Sequence, residues 1–166
     1  MKKPMEVTFS NNGKILIDNA TIKWPNFSGA KKMYNDEGDR NFVVVVDDPE
    51  IADALREAGC NIRIKTSDIP GEAPEMQFTV KVSYRFSAPV AYLKPGPGRP
   101  LKELTEDTIG TLDFVAMERV DLDIRLGREW TAGGKTGRTA YLDKIVVVQE
   151  VDRFLERYAE EEHPEE

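Results

Sequence analysis

Along residues 61–65 and 76–85, apolar and polar positions alternate strictly. Ile62, Ile64, Met76, Phe78, Val80, Val82 and Tyr84 take one side, and Asn61, Arg63, Lys65, Gln77, Thr79, Lys81, Ser83 and Arg85 take the other. A period of two marks half-buried strands, so the first set is expected to face a core. Residues 66–74, with Pro70-Gly71 and Pro74, predict a turn that pairs the two strands as a hairpin. The outward set carries four cations and no acid. A second alternating run, Val120, Leu122, Ile124 and Leu126 against Asp121, Asp123 and Arg125, predicts another half-buried strand.

Other elements follow from less regular patterns. Residues 14–24, rich in Ile, Leu and Thr, predict a long strand interrupted around Asp18-Asn19. Residues 25–40 carry glycines and mostly polar side chains and predict a loop, whereas the four valines of 43–46 predict a strand buried on both faces. Asp48 can cap a helix, Pro49 suits its first position, Ile51, Leu55 and Ala58 share a stripe, and Gly59 supplies a left-handed stop. A short edge-like strand is expected at 89–93, a helix with acids in its first turn at 105–116, a hairpin loop at 127–137 and a closing strand at 138–148. Val151, Phe154, Leu155 and Tyr158 recur at helical spacing, which predicts a last docked helix. The sum is a mainly β fold of about seven strands with about three short helices, a small barrel or sandwich rather than parallel α/β.

Length and charge sharpen this picture. At 166 residues one domain is expected over 1–158, followed by an acidic tail at 159–166. The net charge of −7 argues against a nucleic-acid partner until its position is considered. Residues 149–166 alone carry −6, leaving −1 on the rest of the chain, and a neutral body can still carry a basic face. No apolar run approaches the length of a membrane span, and Met5-Glu6-Val7-Thr8-Phe9-Ser10 interrupts any signal-peptide core, so a cytoplasmic protein with no membrane partner is expected. The lone Cys60 has no metal-ligand spacing around it, which fits a reducing compartment and no zinc site.

A set of short motifs then occurs in order: Ile17-Asp18-Asn19-Ala20, Phe27-Ser28-Gly29, Gly38-Asp39-Arg40-Asn41-Phe42, Asp47-Asp48-Pro49, Ile109-Gly110-Thr111-Leu112-Asp113, Val120-Asp121-Leu122, and Gly134-Lys135-Thr136-Gly137 followed by Ala140-Tyr141-Leu142. Together, over about residues 13–158, the chain resembles a family of bacteriophage single-stranded DNA-binding proteins with an oligonucleotide/oligosaccharide-binding (OB) fold. The resemblance implies an elaborated OB-like antiparallel β-barrel that coats single strands, largely independently of sequence, during phage DNA replication and recombination in the host cytoplasm. It also makes phage replication or recombination proteins candidate partners of the acidic tail. Many replicative single-strand binders end such a tail with an aromatic residue, whereas this chain ends His163-Pro164-Glu165-Glu166.

Sequence-tolerant binding of single strands needs cations along the phosphates and exposed aromatic faces for the bases. Two segments supply both: Lys23, Trp24, Phe27, Lys31, Lys32, Tyr34 and Arg40 in one, and Arg125, Arg128, Trp130, Lys135, Arg138 and Tyr141 in the other. The hairpin cations Arg63, Lys65, Lys81 and Arg85 can extend the phosphate track. Each has a plainer reading. Trp24 and Phe42 can be core, Lys31 and Lys32 can be neutralised by Asp36, Glu37 and Asp39, and the hairpin cations can be ordinary strand surface.

Enzymatic readings find little chemistry. The only histidine, His163, lies at the acidic end, so no Ser-His or Cys-His pairing is expected and no catalytic residue or cofactor is assigned. Gly134-Lys135-Thr136 lacks the earlier glycine of a phosphate loop, with Glu129 in its place. The rival worth keeping is a two-metal nuclease using Asp121 and Asp123 with Asp143 or Asp113, against which stands the simpler reading that these are the polar side of a strand. A phage structural or host-interaction protein on the same scaffold is a third alternative.

Overall fold

The computed structural model describes residues 3–33, 35–85, 87–96 and 98–151. Ten strands form one sheet: β1 (Glu6–Phe9), β2 (Lys14–Asp18), β3 (Thr21–Asn26), β4 (Arg40–Val46), β5 (Arg63–Lys65), β6 (Glu75–Val82), β7 (Val90–Lys94), β8 (Lys102–Leu104), β9 (Met117–Ala132) and β10 (Lys135–Gln149). The main path runs β1-β2-β9-β10-β6-β4-β3, with β5 beside β6, and β7 between β10 and β8.

The interruption expected near Asp18-Asn19 is the corner on which the architecture turns. β2 lies toward one end of the path and β3 at the other, yet only Asn19 and Ala20 separate them. Asn19 takes a left-handed φ of 58°, a conformation its short polar side chain tolerates better than most. Its amide donates to the Asp121 carboxylate at 3.0 Å, and the Ala20 amide donates to the Val120 carbonyl at 2.8 Å. The chain thus curls the sheet toward a barrel without closing it by strand pairing. A hollow of about 270 Å³ between Ala20, Ile22 and Pro25 on one side and Val115 to Val120 on the other marks the seam.

Alternation sets the core. Phe78, Val80 and Val82 of β6 are buried, as are Val120, Leu122 and Ile124 of β9, and Phe42, Val44 and Val46 of β4. Each such large aliphatic contributes about 1.5–3 kcal/mol on burial. The helix α1 (Pro49–Ala58) begins where Asp48 accepts the Glu50 amide at 2.9 Å and ends at Gly59, with Ala52 and Leu55 buried. The cap alone is worth about 1 kcal/mol.

Several expectations are corrected. Among the described residues there are ten strands rather than about seven, and the sheet is mixed, because β10 runs parallel to both β6 and β7. β7 is therefore flanked on both sides and is no edge. The helix expected at 105–116 is a 3-10 segment over Ile109–Phe114, preceded by a turn in which the Thr105 amide donates to the Thr108 hydroxyl. Gly110 and the β-branched Thr111 disfavour a longer α-helix there. The third expected helix, and the tail, lie outside the described residues. Ile64 is 60% exposed rather than inward, since β5 is a three-residue strand that extends beyond the core. Residues 127–137 form no loop: β9 and β10 stay paired up to a turn at Gly133-Gly134. Among the described residues, no helix is long and apolar enough to cross a membrane.

Candidate nucleic-acid interface

The register places four outward residues in one row across four strands. Asn41 of β4 lies opposite Lys81 of β6, Lys81 opposite Tyr141 of β10, and Tyr141 opposite Arg125 of β9. Directly opposed residues in a sheet share a face, so the row forms the floor of a single surface. A cleft of about 1070 Å³ opens over it, and Arg40, Lys81, Arg85, Arg125 and Arg128 all line it. Asp39 and Glu106 are its acids. The electroneutral body therefore does concentrate cations on one face.

Aromatic rings in the cleft are held by these cations. The Arg125 guanidinium sits 4.8 Å from the Tyr141 ring centroid, and that of Arg40 sits 5.3 Å from Tyr84. Tyr141 fits because Gly127 lies beside it: a Cβ there would come within 2.7 Å of the ring edge. The hydroxyl of Tyr84 and the Nε atoms of Arg40 and Arg125 are buried and have no protein partner among the described residues. All three are donors, and all three belong to residues lining the cleft. Burial pushes the Tyr84 phenol above its ordinary value, with the Arg40 guanidinium opposing, so it stays a protonated donor at neutral pH. The guanidinium and ammonium groups that line the open cleft, rather than these buried atoms, suit phosphate oxygens.

A third aromatic stands farther along the outer face. Trp24 is 56% exposed, with Lys65 Nζ 4.8 Å and Lys23 Nζ 5.9 Å from its ring. It occupies an irregularity in the β3–β4 pairing with φ of 48°, strain that an indole seeking burial would not need. Lys23 is tied to Glu75 at 2.6 Å. Between Trp24 and the cleft, Arg63 donates to the Thr79 hydroxyl at 2.8 Å, and a smaller hollow of about 150 Å³ gathers Arg63, Lys81, Trp130 and Arg138. Lys81 borders both depressions, which joins them into one track.

Some expected site residues stand elsewhere. Phe27 is fully buried and stacks on Phe42 at 5.2 Å, its amide held at 2.6 Å by the Asp113 carboxylate, so it is core and not a base platform. Phe42 is core as its valine neighbours suggest. Arg138 is chiefly a strut, donating to the carbonyls of Gly127 and Leu126 while its stem packs on Gly59. Lys31, Lys32 and Lys135 are exposed and line neither depression. Among the described residues, the loop carrying Lys31 and Lys32 reaches the cleft through Gly38 and Asp39, and Asn35 fixes it by donating to the Ala30, Asp36 and Asp39 carbonyls. Tyr34 lies outside the described residues.

Tyr84 packs half-buried against the core, as alternation expects, but it stands beyond the end of β6 at Val82 and lines the cleft as well, a second role that periodicity does not show. Its sequence signal is only the neighbouring Ser83 and Arg85. Asn41 and Thr79 are missed for a different reason, being polar strand residues with no distinguishing pattern.

Three of the four acids of the nuclease reading, Asp121, Asp143 and Asp113, have structural occupations. Asp121 holds the Asn19 corner and Arg119, Asp143 binds Lys14 at 2.7 Å, and Asp113 accepts the Phe27 and Ser28 amides. Among the described residues no group of three His, Cys, Asp or Glu is placed to hold a metal ion. Burial pushes the Cys60 thiol up to about 11, the opposite of what a nucleophile requires.

Comparison with known proteins bears on the fold and the family. The single-stranded DNA-binding protein from bacteriophage Enc34 in complex with ssDNA superposes with a TM-score of 0.59 at 14% identity, covering 92% of this chain and 95% of that one. A second structure of the same phage protein gives 0.59 at 13% identity over 92% and 89%, and its C-terminal truncation 0.58 at 13% over 92% and 95%. No curated protein matches the chain. The family model for a phage ssDNA-binding domain matches residues 4–166, and with nearly its whole length inside that match the chain belongs to the phage ssDNA-binding domain family.

Proposed function

We propose that the protein binds single-stranded DNA along the track from Trp24 to Arg128, largely independently of sequence, and coats strands during phage DNA replication and recombination. The observation that carries this reading is the cleft itself, which Arg40, Lys81, Arg85, Arg125 and Arg128 line together with the rings of Tyr84 and Tyr141. Cations there meet phosphates, and ring faces meet bases that a duplex would keep stacked. The protein acts in the host cytoplasm without catalysing a reaction, in keeping with acids committed to the corner, to Lys14 and to backbone amides. The acidic end recruits phage replication or recombination proteins and competes with DNA for the basic face.

A gel-shift with single-stranded and duplex DNA, with and without magnesium, tests the reading. Retardation of single strands at concentrations that leave duplex free, unchanged by magnesium, is the expected result. Indifference to single strands would overturn it, and magnesium-dependent degradation would replace it with the nuclease reading.

A further inference from the structure

The smaller hollow has a construction that a phosphate track does not need. Its volume of about 150 Å³ is on the scale of one planar base without its sugar and phosphate. Trp130 forms one wall, and its six-membered ring lies so close to Gly137 that a Cβ there would come within 2.9 Å of it. The glycine lets the indole lie against its own hairpin, fixing its position. Arg63 is anchored on the Thr79 hydroxyl at 2.8 Å, and the Arg138 guanidinium is anchored on the Gly127 and Leu126 carbonyls. These donors are therefore preorganised and lose little freedom on meeting a ligand. Asn61, exposed at the rim, adds a carboxamide able to donate and accept at once.

Resting on the single-strand reading above, we infer that this hollow is a one-base pocket, into which a nucleotide of the bound strand turns its base against Trp130 while its phosphate stays near Lys81. Lys81 borders both the hollow and the cleft, so the backbone need not leave the track for the base to enter. The lining favours a keto-bearing base, thymine or guanine. Arg63, Lys81 and Arg138 offer donors to carbonyl oxygens, which adenine lacks, its acceptors being ring nitrogens alone. The pocket thus lays a mild base preference over binding that is otherwise tolerant of sequence.

Two exposed residues test this without disturbing the core. Affinities are measured for thymidine and adenosine homopolymers and for a fully abasic strand, all of equal length. Asn61→Leu is expected to narrow the thymidine-to-abasic gap by about tenfold and to leave abasic binding unchanged. Arg63→Met is expected to reduce the thymidine-to-adenosine ratio several-fold, beyond the general loss from one removed charge. In a Trp24→Phe background, where Trp130 is the only tryptophan, thymidine strands should quench its emission and abasic strands should not. Unchanged gaps and ratios in both variants, with single strands still bound, would overturn the pocket and leave the track standing. No binding of any strand by the unaltered protein would overturn both.

Discussion

The lower half of the β9–β10 hairpin, where residues 117–124 face 142–149, and its upper half, where 125–132 face 135–141, are one continuous antiparallel pairing whose alternation is broken by register shifts in both halves. Their outward charges are used differently. Below, Asp121 is held by Arg119 and the Asn19 amide, Asp143 by Lys14, and Lys144 lies opposite Asp123. Above, Arg125 leans on an aromatic ring and, with Arg128, lines the cleft. One strand pair thus carries a neutralised structural end and a cationic end available to a ligand. Strand pattern does not distinguish them; the neighbours do, since Lys14 of β2, paired opposite Arg125, sends its ammonium to Asp143 in the lower half, and β6 brings Lys81 to the upper.

The strongest way to break this contrast is matched charge reversal. Arg125→Glu should weaken single-strand binding by about tenfold to a hundredfold at low salt and flatten the log-log salt dependence by about 0.7 for each phosphate left without its cation. Lys144→Glu, in the lower half of the same hairpin, should leave affinity within about twofold. Anisotropy titrations over a salt series decide it, and equal weakening by both variants would erase the distinction.

Aromatic truncation comes next. Trp24→Ala and Tyr141→Ala should each cost about 1–3 kcal/mol of binding. For the exposed Trp24 the melting temperature should hardly move, whereas Phe27→Ala, emptying a fully buried stacked site, should lower stability by about 3–5 kcal/mol. Calorimetry beside the titrations separates the two behaviours, and early melting of Trp24→Ala would make that indole a packing residue.

A smaller, salt-sensitive effect is expected from ending the chain after Tyr158, which removes five acids. A tethered polyanion competes with DNA only where cations are unpaired, so single-strand binding should tighten several-fold at low salt and the gain should fade as salt rises. Equal affinities at low ionic strength would confine the acidic end to solubility or protein contacts.

The smallest effect belongs to the lower half and concerns stability alone. Burial raises the Asp123 pKa above its ordinary 3.8, and neighbouring Asp143 adds to this, while Lys144 and Lys14 oppose it. Because the folded state then binds the proton more tightly than the unfolded one, stability falls as pH rises from 3.8 through the raised folded value. Asp123→Asn should therefore raise the melting temperature slightly at neutral pH, the gain should vanish below the ordinary aspartate value, and DNA affinity should not change. A gain that persists at acid pH would assign the effect to something other than ionisation.

By itself the sequence determined most of the elements and one part of the site. Periods of two placed Phe78, Val80, Val82, Leu122 and Ile124 in the core and Lys81 and Arg125 outside, because a strand's geometry forces neighbouring side chains to opposite faces. The Asp48 cap and Gly59 stop bounded α1, since both act within a few residues. Tertiary structure alone decided what depends on distant partners. Asn19 became the corner because Val120 and Asp121, far along the chain, accept the backbone bonds of the turn. Residues 127–137 became strand because a long hairpin can pair beyond the barrel, with Gly127 and Gly137 admitting Tyr141 and Trp130. Phe27 and Trp24 lie three residues apart in the same short segment, yet one is sealed against Phe42 and the other stands on the outer face. Their burial is set by what the opposite strands and the 3-10 segment bring against them, and that is fixed only when the sheet curls.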